Sequence, residues 1–506
     1  MTPPNGPPVS ISPKPTNVRY SMLFMLCLLA MITYLDRAMY GSAKGDMMAA
    51  VGRPVEDFFW VLVAFQLAYA LFEVPTGWLG DRFGPRVTLI RLVLWWSLFV
   101  GLTPTVGLIF PTTVEVMGNV FYMAFAMLIL MEFLFGMGEA GAFPNISRAA
   151  YNWFPAGQRG FAKGAVWMAA RFAGGLTPVI WVLLTVYLDL SWRQALWLFT
   201  GVAAVWCLVF WIWFRNVPSQ HWAPNESEKL LIESGKGHDG GRARSVPWRT
   251  IFTSRNLWAV CLMYTVTNFN WYFLMYYLPG ALRGQYILSR APVVEAVLQT
   301  PAGAAGAAFG GAAAVAGSEQ LYSDRLTPAF LGGAPLLVGM LGCYLGGVLS
   351  DIHIRRTGNR VWGRRLYGML GYGLAGLAYL SASLFTGRDD FWLFAGCLIL
   401  VGLFNDLIMG PSWATTQDVG SQYSAIVGGM MNMVGNLGAT IGNLITGLIL
   451  KSYTKDGVLD PQGYVVCFVM YGVVYGLGVA TWLLIDPTRP IVPDGSDSTP
   501  SADESR

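Results

Sequence analysis

Charge is what this sequence lacks most. Only 12% of its 506 residues are Asp, Glu, Lys or Arg, while 54% are hydrophobic. A soluble domain carries roughly 25% charged residues. A chain of this length with half that charge cannot cover a water-soluble body with polar surface, which excludes a soluble enzyme or binding domain. Histidine is scarce too. His221, His238 and His353 all fall in polar segments, which excludes haem ligation and metal catalysis inside the apolar stretches. The six cysteines, Cys27, Cys207, Cys261, Cys343, Cys397 and Cys467, lie in or beside apolar runs without a CxxC pair, so neither a disulfide framework nor a metal site is indicated. The opening residues MTPPNGPPVSISPKPTN lack the charged start, apolar middle and small-residue cleavage site of a signal peptide. Residues 1–18 are expected to be a disordered cytoplasmic tail.

Long apolar runs are what the chain does have. They occur at about 20–41, 58–80, 87–105, 118–142, 162–187, 192–214, 256–281, 327–350, 366–386, 391–412, 424–450 and 464–485, each near the ~20 residues that cross a bilayer as helix. The polar stretch 216–255 separates six runs from six and reads as a cytoplasmic linker between bundles at 19–215 and 256–486, with a second tail at 487–506. The stretch PAGAAGAAFGGAAAVAG (301–317) is apolar by count but almost free of large side chains. With twelve spans and both termini inside, 22 Lys/Arg fall in cytoplasmic segments, 9 in external ones, and Arg37 and Arg171 in spans, accounting for all 33. That bias matches the positive-inside rule. Counting 301–317 as a span would put Arg355, Arg356, Arg360, Arg364 and Arg365 outside, so it is expected to lie in an external loop, 282–326.

A repeat divides the chain. GWLGDRFGPR follows the second run, with Asp81, Arg82 and Arg86; GVLSDIHIRRTG follows the eighth, with Asp351, Arg355 and Arg356. Each places a glycine four residues before an aspartate and then a basic cluster. A duplicated six-helix unit explains the coincidence, and parallel repeats of this kind hold their substrate site at the midplane between the halves. Acid–base clusters at such helix ends can lock neighbouring helices and release them as the halves rock, which makes these six residues candidate gating groups.

These segments resemble the signature loops of the major facilitator superfamily. YLDR (34–37), AYALFEVPTGWLGDRFGPR (68–86), FGMGEAGAFPNISRAAYNWFPAGQRGFAKG (135–164), GPSWATTQD (410–418) and GGMMNMVGNLG (428–438) further resemble its anion:cation symporter family. That family includes bacterial hexuronate, glucarate and galactonate permeases and sialin-type carriers. The likeness spans about 19–486. It implies an all-α membrane protein of twelve helices in two six-helix bundles, sited in the inner membrane. It also implies proton-coupled symport of a small organic anion such as a sugar acid. Neither a cofactor nor a nucleic-acid partner is implied, and a monomer is expected. The rivals are a proton-independent facilitator or exporter and a transport-dead sensor; a membrane enzyme lacks any nucleophile–base constellation.

Ionisable groups inside spans are costly and mark function. They are Asp36, Arg37, Glu73, Glu132, Glu139, Arg171 and Asp406, with Arg91 near the start of the third span. Arg37 is the candidate anchor for an acid group, since a guanidinium forks two hydrogen bonds to a carboxylate. Tyr34, three residues earlier, shares its face. The resemblance assigns proton coupling to Glu139 and Asp36. An arginine adjacent to Asp36 would oppose proton uptake there. Where relatives commonly carry an arginine, seven residues before Glu139, this chain has Glu132. Either Arg171 or Arg91 supplies the second positive charge, or the substrate is less acidic, or Glu132 pairs with Arg171, or Glu132 itself contacts an amine or hydroxyl. Trp413, Asn432 and Asn436 match the family's aromatic and amide positions. The two asparagines share a face, and Gln66 and Tyr69 add polar contacts from the second span.

Overall fold

A computed structural model describes residues 14–116, 119–155, 158–233, 247–282, 284–286, 312–388, 390–420, 423–455 and 458–492. Eleven stretches of described helix are long and apolar enough to cross a membrane. In chain order, α1 runs Val18–Ala50, α2 Phe58–Phe83, α3 Pro85–Leu102, α4 Met123–Glu139, α5 Ala142–Trp153, α6 Arg159–Val182 and α7 Trp192–Trp213. Two short helices follow, α8 at Glu226–Glu233 and α9 at Trp248–Thr253. The second set is α10 at Arg255–Tyr276, α11 at Ala312–Thr357, α12 at Arg360–Phe385, α13 at Phe391–Leu407, α14 at Met409–Gly420, α15 at Ser424–Ser452 and α16 at Gln462–Leu483. Pairs α4–α5 and α13–α14 each make one span. The twelfth helix is α10, whose 22 residues reach about 33 Å. Its asparagines, tyrosines and tryptophans dilute its apolar character because most of the helix faces protein and little faces lipid.

Each half repeats the same punctuation. Gly84 between α2 and α3 has φ +82°, and Gly358 between α11 and α12 has φ +69°. Only glycine takes that backbone freely. At Gly84 a Cβ would also collide with Asn216, whose Oδ1 accepts from the Arg86 amide at 2.9 Å and so caps α3. Asn359 caps α12 through Trp362 N at 3.0 Å. The broken spans are likewise related: α4 stops at Glu139, five residues before Pro144, and α13 ends beside Asp406, five residues before Pro411. A proline ring disfavours helix in the residue before it and removes a helix donor. In both halves, therefore, a carboxylate sits at a helix break inside the membrane.

The stretch 301–317 is helical in its described part. Residues 312–317 belong to α11, which runs on without interruption into the eighth span; residues 301–311 lie outside the described residues. Alanine is the strongest helix former, so a segment too small-sided to score as a span still propagates the helix behind it. The described part of the amino-terminal segment packs against the linker. Thr16 Oγ1 donates to Glu228 Oε2 at 2.6 Å, and the backbone amides of Val18 and Arg19 each donate to Glu228 at 3.2 Å. Arg19 Nη1 adds an ion pair to Glu228 at 2.9 Å. A linker residue thus caps the first helix of the chain.

The halves dock closely at one end. A Cβ on Gly333 of α11 would fall on the Gly175 carbonyl oxygen of α6, and one on Gly447 of α15 would strike the Phe59 ring of α2. Lys451, ending α15, pairs with Asp57, just before α2, at 2.6 Å. Small residues permit such backbone approach.

Candidate functional site

The buried charges of the two bundles converge between them. Arg37 on α1 donates from Nε to Glu139 Oε2 on α4 at 2.8 Å, with 4% and 0% of each residue exposed. Its guanidinium also lies over the Tyr69 ring at 4.6 Å and the Tyr34 ring at 5.6 Å, a cation–π setting that holds charge in a dry place. Arg37 Nη2 and Glu139 Oε1 remain without a hydrogen-bond partner among the described residues. The pair is thus joined by one bond, with a donor and an acceptor in reserve.

Arg171 on α6 does not meet Glu132. It forks to Asp406 on α13, Nε to Oδ2 at 2.7 Å and Nη2 to Oδ1 at 3.0 Å, and donates from Nη1 to the Tyr34 hydroxyl at 2.7 Å. The Trp271 ring lies 3.9 Å beneath the guanidinium. This pair bridges the bundles. Adjacent residues diverge on a helix, so Asp36 turns from Arg37 and accepts from Trp96 Nε1 on α3 at 3.2 Å. Arg91 is exposed and faces the Phe83 ring; among the described residues it reaches no buried carboxylate, which corrects its candidacy as partner of Glu132. Glu132 is fully buried, and neither oxygen accepts a hydrogen bond among the described residues.

On the second half, Asn432 donates to Glu73 of α2 across the bundle interface, and Asn436 accepts from Tyr272 at 3.1 Å. Asn436 donates back to the Asn432 carbonyl at 2.9 Å. Trp413 is half-buried between Trp167 and Tyr264, its indole N–H beside the Tyr264 hydroxyl. Gln66 is buried with neither amide atom satisfied among the described residues.

The helix-end clusters are rearranged relative to expectation. Asp351 pairs with Arg364 of α12 at 2.9 Å, while Arg355 and Arg356, one turn further along α11, are exposed. Arg364 also pairs with Asp418 of α14 at 3.0 Å. The side chain of Asp81 lies outside the described residues. Arg82 is exposed against the Trp78 and Phe83 rings, and Arg86 covers Trp211 at 4.2 Å. Sequence reasoning did not pair Asp406 with Arg171 or place Glu73 against Asn432. The shared spacing of Glu139 to Pro144 and Asp406 to Pro411 was the signal that marks Asp406.

The family model for the Major Facilitator Superfamily matches residues 26–443. A probable sulfoacetate transporter of Cupriavidus necator is 27% identical over 93% of this chain and 94% of its own. A probable galactarate/D-glucarate transporter of Bacillus subtilis is 26% identical over 88% of both chains. Among solved structures, a bacterial homologue of the human lysosomal transporter Spinster, inward-facing and occupied, aligns with a TM-score of 0.63 at 17% identity, covering 93% of this chain and 97% of its own. A D-xylose–proton symporter aligns at 0.62 and 11% identity over 93% of this chain and 98% of its own.

Proposed function

This chain belongs to the Major Facilitator Superfamily, and from that membership and its buried charges we propose that it is a proton-coupled symporter of a small organic acid. The observation that carries the proposal is the Arg37–Glu139 pair, 2.8 Å apart and sealed from solvent. While Glu139 is ionised, it neutralises Arg37 and competes with any incoming acid group. A proton on Glu139 removes that competitor and leaves Arg37 free to fork two bonds to the substrate. Conversely, an acid bound at Arg37 displaces Glu139 and favours its protonation. The two ligands therefore assist each other, and such coupling is reciprocal. Relatives named as organic-acid transporters support the substrate class.

Tyr34 and Tyr69, whose rings flank Arg37, serve as further substrate contacts, as do Gln66, Trp413, Asn432 and Asn436. The Asp81 and Asp351 clusters serve the rocking of the bundles. The bias of basic residues to one side orients both termini to the cytoplasm, in the inner membrane, so the end closed by Gly175 and Gly333 faces outward.

Glu139→Gln mimics the protonated acid permanently. In proteoliposomes it should abolish accumulation driven by a proton gradient while retaining exchange of preloaded organic acid. Accumulation against a gradient by Glu139→Gln would refute the coupling.

A further inference from the structure

Within the spans, the described residues bury five carboxylates, Asp36, Glu73, Glu132, Glu139 and Asp406, against two guanidiniums, Arg37 and Arg171. Lys44, further along α1, lies over the Tyr277 ring. Both guanidiniums are already engaged, by Glu139 and by Asp406. Asp36 and Glu73 each accept a neutral N–H, from Trp96 and Asn432. Glu132 has only the Tyr40 hydroxyl beside it. It is fully buried with both oxygens unpartnered, and the hydroxyl of nearby Tyr40 is shared with Thr103 at 3.1 Å. A buried carboxylate in this position is an acceptor waiting for a donor.

What Glu132 faces argues that the donor arrives with the substrate. It stands two turns before Glu139 on α4, about 10 Å along the helix, within electrostatic reach of Glu139 and of Tyr276 from the opposite bundle. The Tyr276 hydroxyl is also unpartnered, and its ring stacks on Tyr272, which donates to Asn436. Gln66 adds a buried amide, unsatisfied among the described residues, three residues from Tyr69, the ring beneath Arg37.

We propose that the substrate is a zwitterion, whose acid group binds Arg37 and whose ammonium or comparable nitrogen cation pairs with Glu132 across a short aliphatic chain. The proposal rests on the reading of Arg37 as an acid anchor. A bare anion leaves Glu132 without a partner; a cation tethered to the acid group answers both sites at once.

The test uses the full chain, purified and reconstituted, with two matched series: taurine, isethionate and ethanesulfonate; 4-aminobutyrate, 4-hydroxybutyrate and butyrate. Binding by thermal shift and uptake by counterflow should favour the amino member of at least one series by about tenfold or more, as expected for a buried charge pair. Glu132→Gln should erase that preference and leave the plain acids bound as well or better. Glu132→Asp, which keeps the charge, should retain a weaker preference and guards against a folding defect. Equal binding of all three members by the parent protein overturns the zwitterion while sparing the acid anchor. A Glu132→Gln variant altered only in the pH dependence of uptake makes Glu132 a proton site and also overturns it. Binding of every acid unchanged by Arg37→Gln is the separate result that removes the anchor itself.

Discussion

Replacing Asp406 with Asn should open the molecule at the end now closed. Arg171 and Asp406 are 2% and 0% exposed and share two hydrogen bonds, at 2.7 and 3.0 Å. Removing one member of a buried pair costs about 3–5 kcal/mol, because the other charge is left uncompensated. The Tyr34 hydroxyl and the Trp271 ring stay with Arg171, which argues for the lower figure. Arg171 lies on α6 of one bundle and Asp406 on α13 of the other, so the loss falls on their docking and spares the fold of each. At about 1.36 kcal/mol per tenfold, 3 kcal/mol shifts the docked–undocked equilibrium by roughly 150-fold. Spin labels at Leu188 and Phe330, both exposed, would report it as a longer-distance population without added substrate. The double variant Arg171→Gln/Asp406→Asn removes both charges and should return most of the way to the parent distribution, the signature of a direct coupling. An unchanged distance in Asp406→Asn would refute the reasoning, as would a double variant more open than the single.

Three further outcomes follow from the packing and from the helix-end charges. Gly333→Ala should hinder closure at the same end, because the new methyl would land on the Gly175 carbonyl; overpacking costs about 1–3 kcal/mol, read by the same label pair with unfolding temperature little changed. Asp351→Asn should alter stability in detergent by about 0.5 kcal/mol or less, since its side chain is 52% exposed. Asp418→Asn, which loses both Arg364 at 3.0 Å and Arg360 at 3.8 Å, should cost about 1–2 kcal/mol; the opposite ranking would make Asp351 the stronger partner of Arg364.

Much of this architecture is written locally. Apolar runs of bilayer length, glycines after the second and eighth spans, and a carboxylate five residues before a proline in each half are all visible along the chain. Arg37 and Glu139 stand out because charge in an apolar helix has to be explained. Pairing is another matter. Glu139 lies 102 residues from Arg37, and Asp406 lies 235 from Arg171, so partners depend on how helices and bundles dock. That is why Glu132 could be expected to find Arg171 and does not. The partner of Asp351 is hidden for a related reason: α11 continues to Thr357 and leaves Arg355 and Arg356 exposed, while Arg364 comes from the next helix.

The cap on α1 has a consequence for how the protein is made. Glu228 accepts from Val18 and Arg19, more than two hundred positions earlier in the chain. A nascent chain therefore inserts its first helix with the leading amides unsatisfied by protein, and Arg19 waits for its counter-charge until all six helices of the first bundle and the start of the linker have been synthesised. Completion of that bundle is timed by the linker's emergence from the ribosome. A split version expressed as two pieces should accordingly be more stable when cut after Glu233 than when cut before Glu226, because only the first keeps Glu228 with the helix it caps.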